Sequence, residues 1–236
     1  MSPDIDSLPR STSRQRNILN HQAIEDYLKT IYALEQEESP VSTSRIAQAC
    51  SVKPGSATSM IQRLARLNLV DYEKHYGATL TEAGKQIALE VIRHHRLVEL
   101  YLIEALDFSW DEVHEQADIL EHVISEELEE KIAAVLHYPS FDPHGDPIPS
   151  RDGLMVEVET LALTRLPENT VAVVSRVPDN ADGDFLRYIA HLGLVPGNEL
   201  TVIEAAPFDG PLTIEIDGQR QVVGYKTAST IRVEIV

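Results

Sequence analysis

From Asp111 to Leu136 the chain runs without a glycine or a proline (DEVHEQADILEHVISEELEEKIAAVL). That continuity predicts one long amphipathic helix, opened by Ser109 with Glu112 three residues later in a capping-box pattern. At about 100° per residue, Val113, Ala117, Leu120, Ile124 and Leu128 fall on one apolar stripe. Beside the stripe, His114, Asp118, Glu121 and His122 project into roughly a quarter-turn sector. Two imidazoles and two carboxylates converging there suggest a divalent-metal site with hard ligands. A solvated acidic face carrying incidental histidines gives the same pattern, so the rest of the chain has to decide.

Charge is where composition matters. The 236 residues carry a net charge of −18, which argues against a polyanionic partner until its distribution is considered. Cations and acids balance nine to nine in residues 1–75, stand at four to sixteen in residues 76–150, and at seven to thirteen in residues 151–236. The acid is concentrated where divalent cations would relieve it, and the N-terminal third is free to meet nucleic acid. No apolar run approaches the ~18 residues of a membrane span. Residues 1–20 lack an apolar signal core and read as a flexible arm. The single cysteine, Cys50, excludes an internal disulfide, fits a reducing cytoplasm, and reads as a small buried hydrophobe.

Residues 21–80 have the order of a winged helix-turn-helix. Ile24 to Glu35 predicts a helix with Ile24, Leu28, Ile31 and Leu34 inward. Ser42 can cap a short second helix over Thr43 to Cys50, and a turn at Ser51 to Gly55 leads into a third over Ser56 to Asn68. Met60, Ile61, Leu64 and Leu67 would be the third helix's core side. Leu69 to Leu80 alternates around Gly77 as a hairpin would. The third helix offers Ser56, Thr58, Ser59, Gln62 and Arg63 outward, with Lys53 and Pro54 at its start. Small polar donors with a few cations suit a helix lying in a major groove, and Lys74, His75 and Tyr76 of the wing suit the phosphate backbone. A helical domain packed against the remainder of the chain is the alternative.

Thr81 caps a helix reaching about Leu106 whose apolar surface exceeds what one helix buries internally, so residues 81–141 read as a helical dimerisation unit. His95 and Glu99, at i and i+4, form a second candidate ligand pair, and Trp110 reads as core packing. Residues 142–155, rich in Pro, Gly and Asp, read as a linker. Residues 156–236 change to short β-runs separated by breakers, with a short helix near Phe185 to His191, as in a small SH3-like barrel. The fold class expected is therefore α+β and multidomain.

Several motifs in combination resemble the diphtheria-toxin-repressor family of metal-dependent regulators: EDYLKTIY, VKPGSATSMIQRL, HHRLVE, HEQADILEHVIS, HGDPIP and the LGLVPG turn. The resemblance runs from Ile24 to Val236 and implies the long form, with an SH3-like domain. It implies a primary metal site of Asp26, Asp118, Glu121 and His122, and an ancillary site of His95, Glu99 and His114. The SH3-like domain would add Asp179 and Asp182 from PDNADGD. Where the iron-type branch has a Met and a Cys, this chain has Asp26 and Asp118. Oxygen and imidazole donors favour Mn²⁺, with Fe²⁺ as the alternative, over thiophilic metals. Lys29 stands where the short manganese branch has a further acid, which separates the chain from that branch's two-metal arrangement. The implied protein is a cytoplasmic, homodimeric, metal-activated repressor of metal-uptake genes on a palindromic operator, with two metal sites per subunit. The rivals are a winged-helix regulator switched by an organic ligand around a structural metal cluster, and a metal-dependent hydrolase. The hydrolase would need an open coordination position and a substrate pocket, neither of which is evident.

Overall fold

The computed structural model describes residues 13–178 and 182–236, with side chains from residue 21 onward. It divides into two compact units, residues 1–91 and 92–236. Residues 1–12 of the expected arm and Asp179 lie outside the described residues.

In the first unit α1 spans Ser13–Glu35, α2 Thr43–Ala49 and α3 Pro54–Arg66. A hairpin follows, with β1 at Val70–Glu73 and β2 at Gly77–Leu80. The first helix begins well before Ile24, taking in residues 13–20 of the expected arm. Nothing from Ser13 to Ala23 breaks a helix, and Ile24 marks only the start of apolar burial. Ser42 caps α2 by accepting from the Arg45 amide at 3.3 Å. The core contains Leu28, Ile31, Ile46, Ile61 and Leu64, all fully buried and each contributing roughly 1.5–3 kcal/mol. On α3 the inward set is Ala57, Ile61 and Leu64; Met60 is only partly buried. Leu67, expected inside, is the C-cap residue and half exposed, because the helix ends at Arg66 and turns it outward. Val41 exchanges hydrogen bonds with Ala78 at 2.9 and 2.8 Å, joining the approach to α2 to the wing. Gly77 is required at that crossing, since a Cβ there would lie 2.5 Å from the Val41 carbonyl oxygen.

The helix α4 spans Glu82–Leu106, its start capped by Thr81 Oγ1, which accepts from the Gly84 amide at 3.1 Å. The single helix expected over Asp111 to Leu136 is instead two: α5 at Val113–Leu120 and α6 at Glu126–Val135. Ser125 accounts for the break. Its hydroxyl accepts from the Leu128 amide at 3.3 Å, and Glu126, Glu127 and Glu129 fill the first turn of α6, where acids suit the helix dipole. The Ser109 capping box does not form, and α5 begins after Glu112 without a side-chain cap. Of the expected stripe, Val113 and Ala117 are buried, while Leu120 and Leu128 are exposed.

Residues 142–155 are not a solvated linker at their start: Asp142, His144, Asp146 and Ile148 are all buried. Beyond them lie β3 (Leu161–Ala162), β4 (Val171–Arg176), α7 (Gly183–His191), β5 (Glu199–Ala205), β6 (Leu212–Ile216), β7 (Gln219–Val223), α8 (Tyr225–Thr230) and β8 (Arg232–Ile235). The strands form one antiparallel sheet in the order β3-β8-β4-β5-β6-β7, with register irregularities at Val174/Arg176 and Val202/Glu204 that let it coil. Its core includes Leu163, Val174, Leu186, Ile189, Leu194, Val202, Ile214 and Val233, with Trp110 and Phe185 packed against it.

Candidate metal centre

Three segments of the second unit bring acids and imidazoles together. On α4, His95 and Glu99 stand one turn apart and are almost wholly buried. On α5, His114 and Asp118 also stand one turn apart, His114 half-buried and Asp118 exposed, and Glu121 and His122 follow at the break before α6. The third segment is the strap after α6, carrying Asp142, His144 and Asp146.

Glu99 is the centre of this arrangement. Its Oε1 lies 3.0 Å from His95 Nε2 and 3.1 Å from His114 Nδ1. Its Oε2 makes no hydrogen bond and lies 3.6 Å from His144 Nδ1. His144 Nε2 donates to the Trp110 carbonyl at 3.3 Å, which leaves Nδ1 turned toward Glu99, and the ring stacks on Trp110 at 5.4 Å. Asp142 Oδ1 shapes the strap by accepting from the amides of His144 and Asp146 at 2.8 and 2.9 Å. Its Oδ2 is buried without a hydrogen bond, 3.4 Å from Arg96 Nε. Two groups of potential ligand atoms therefore form here, His95/His114/Asp118 and Glu99/Asp142/His144, each within 4.8 Å of one another. His95 Nδ1 also meets Glu121 Oε2 at 2.5 Å and Asp118 Oδ1 at 3.4 Å, and His122 Nε2 lies 3.4 Å from Glu121 Oε1.

The two carboxylates that face His144 titrate in opposite directions. Burial alone would raise Glu99, but the surrounding imidazoles of His114, His144 and His95 hold it well below the ordinary range. Burial and the neighbouring Asp146 push Asp142 up to about 7, against the pull of Arg96. Buried oxygens without hydrogen bonds beside an imidazole nitrogen are what a hard divalent cation would satisfy, so the donor set fits such an ion.

Of the primary set expected from sequence, Glu121 and His122 are adjacent, whereas Asp118 gathers with His95 and His114. Asp26 belongs to the first unit, exposed on α1. His95, Glu99 and His114, the expected ancillary set, lie in mutual contact. Asp182 is exposed and caps α7, accepting from the Asp184 amide at 2.8 Å, outside these groups. Sequence reasoning missed Asp142 and His144, because the Pro- and Gly-rich stretch that carries them reads as linker.

In the first unit, Lys53, Pro54, Ser56, Ser59 and Gln62 are exposed along α3, and Thr58 and Arg63 half-buried. The Thr58 and Ser59 hydroxyls donate to the carbonyls of Pro54 and Gly55 at 2.9 Å, keeping them close to the helix. Lys53, Gly55, Ser56, Ser59, Met60 and Arg63 line a shallow groove. Lys74 and Tyr76 project from the wing turn.

Family models match residues 21–78 as the iron-dependent repressor N-terminal DNA-binding domain, residues 81–150 as its metal-binding and dimerisation domain, and residues 161–235 as a FeoA domain. The iron-dependent repressor IdeR of Mycobacterium tuberculosis is 34% identical over 222 residues, covering 89% of this chain and 96% of that protein. The chain belongs to the iron-dependent repressor family. The diphtheria toxin repressor of Corynebacterium diphtheriae, at 28% identity, covers the same shares. A manganese-dependent transcriptional repressor in complex with manganese superposes with a TM-score of 0.83 at 36% identity, covering 90% of this chain and 100% of that one. The manganese regulator SloR follows at 0.72 and 35%. This family member is a metal-dependent transcriptional regulator, not an enzyme, which removes the hydrolase alternative. Among the described residues no helix is long and apolar enough to cross a membrane.

Proposed function

We propose that the chain is a repressor of metal-uptake genes that binds palindromic operator DNA as a homodimer when charged with Mn²⁺, Fe²⁺ being the alternative, at two sites per subunit. The observation that supports it most is Glu99, fully buried among imidazoles with one oxygen left without a hydrogen bond beside Asp142 and His144. In this reading the first site uses Asp26, Asp118, Glu121 and His122. The second uses His95, Glu99 and His114 together with Asp142 and His144, with Asp179 and Asp182 as contributors from the SH3-like domain. Oxygen and imidazole donors match Mn²⁺ and Fe²⁺.

When bound, the ion supplies positive charge that lets neighbouring carboxylates remain ionised side by side. Asp26 then ties the reading domain to the ligands of the dimerisation helices, and α3 presents Lys53, Pro54, Ser56, Thr58, Ser59, Gln62 and Arg63 to the major groove while Lys74 meets phosphate. Metal and DNA affinities must be coupled reciprocally, typically by ~1–3 kcal/mol. Exposed Ile119, Leu120, Val123 and Leu128 supply an apolar face for the second subunit.

A DNA-binding titration on promoter fragments at fixed salt tests this, with Mn²⁺, anaerobic Fe²⁺, Zn²⁺ or a chelator. Binding should appear with Mn²⁺, vanish with chelator, and lose its metal response in Asp26→Ala. Equal binding in all conditions would leave a winged-helix regulator whose metal cluster is only structural.

A further inference from the structure

Arg93, His94 and Glu129 are nearly buried ionisable side chains, 9%, 6% and 5% exposed, and the metal sets above use none of them. They form a continuous chain of contacts. Arg93 Nη1 donates to the Pro149 carbonyl at 2.7 Å and Nε donates to Glu129 Oε1 at 2.6 Å. Glu129 Oε2 meets His94 Nε2 at 3.1 Å, and His94 Nδ1 donates to the Glu121 backbone carbonyl at 3.1 Å. The chain thus runs from the strap, through α6 and α4, to the residue that closes α5.

Where it ends is informative. Glu121 is the C-cap of α5, and the backbone leaves the helix there until Ser125 starts α6. Carbonyls at a helix end lack the partner of the helix interior, so an external donor sets the orientation of their peptide. The Glu121 peptide carries two neighbouring side chains of the site, Glu121 turned to His95 and His122 beside it. Burying an ionic group costs more than burying apolar side chains of equal volume, so its retention calls for a positional reason. Groups behind metal ligands that fix ligand orientation supply such a reason.

We propose that His94 is a positioning residue: Glu129 and Arg93 hold its ring so that Nδ1–H pins the Glu121 carbonyl and aims the Glu121 and His122 side chains at the metal. This rests on the reading of Glu121 and His122 as ligands. Two variants separate it from a purely structural ion cluster. His94→Asn places an amide N–H where Nδ1 was and keeps the bond to Glu121, while His94→Gln reaches Glu129 and loses Glu121. Mn²⁺ binding to the full chain is measured by calorimetry, beside the Tm of each variant. His94→Gln should bind Mn²⁺ about 10- to 100-fold more weakly, the usual loss for such supporting groups, with His94→Asn close to wild type. Equal affinities in the two variants, or affinities that simply follow Tm, would overturn the proposal. His122→Ala serves as the control: wild-type Mn²⁺ binding there would sink the ligand assignment itself, and the positioning role with it.

Discussion

Gly145 offers the sharpest test of how the strap serves the proposed metal centre. It lies between His144 and Asp146 with φ +86°, and a Cβ built there falls 1.9 Å from the Ser175 carbonyl oxygen and 3.0 Å from the Arg176 Cα. Both obstacles are backbone atoms of β4, so no side-chain rotation relieves them. The left-handed conformation costs an L side chain roughly 1–2 kcal/mol. Forcing a methyl into closed packing adds about 1–3 kcal/mol, so Gly145→Ala should cost about 2–5 kcal/mol. At about 2–4 °C per kcal/mol for a chain of this size, Tm should fall by roughly 4–20 °C. The relief available is for the strap to lift from β4, breaking the Val177 amide to His144 carbonyl bond at 2.9 Å and the Arg176–Asp146 contact at 3.1 Å. Because Asp142 and His144 ride on the same strap, they would swing away from Glu99. Calorimetric titration with Mn²⁺ should therefore show the second site weakened far more than the one using Glu121 and His122. An unchanged Tm with both Mn²⁺ equivalents bound at wild-type affinity would refute the reasoning.

Three further outcomes are expected. Removing metal with chelator should lower Tm, because an ion at 100 times its Kd stabilises the folded state by ~2.7 kcal/mol; differential scanning calorimetry with and without Mn²⁺ reads it. Lys53→Ala and Arg63→Ala should each weaken DNA binding, and wherever the side chain contacts phosphate the slope of log affinity against log salt should fall by about one, as measured by fluorescence anisotropy. Placing a charge on the apolar face with Ile119→Asp or Val123→Asp should shift sedimentation toward monomer, since both side chains are 63% exposed in the single chain.

Much of the fold was legible because local patterns carried it. Ser42 read as a cap and is one, Gly77 read as the pivot of a hairpin and is close to it, and the β-runs after residue 160 became strands. The errors have a common origin in tertiary competition. Absence of Gly and Pro from Asp111 to Leu136 permits a helix but does not compel one, and Ser125 with its following acids outweighed that permission. The strap shows the same limit from the other side. Pro143, Gly145 and Pro147 signal irregular backbone correctly, yet irregular backbone can be buried once Asp142 supplies its own amides with an acceptor. The candidate ligand pairs one turn apart, His95/Glu99 and His114/Asp118, were visible from helical spacing. Asp142 and His144 depend on the long-range placement of the strap against α4, which no spacing encodes.

The excess acid of the middle third then takes on a specific meaning. Three buried acids of the second unit lie against arginines: Glu129 on Arg93, Asp142 on Arg96, and Asp146 on Arg96 and Arg176. Glu99 is different. It is fully buried, and the charge partners it meets among the described residues are the imidazoles of His95, His114 and His144. An imidazole that gives its lone pair to a metal is neutral. With an ion held at the proposed site, those rings would bring no positive charge to Glu99, and the cation would be its counter-charge. The imidazoles around that carboxylate hold it well below the ordinary range against the cost of burying its charge.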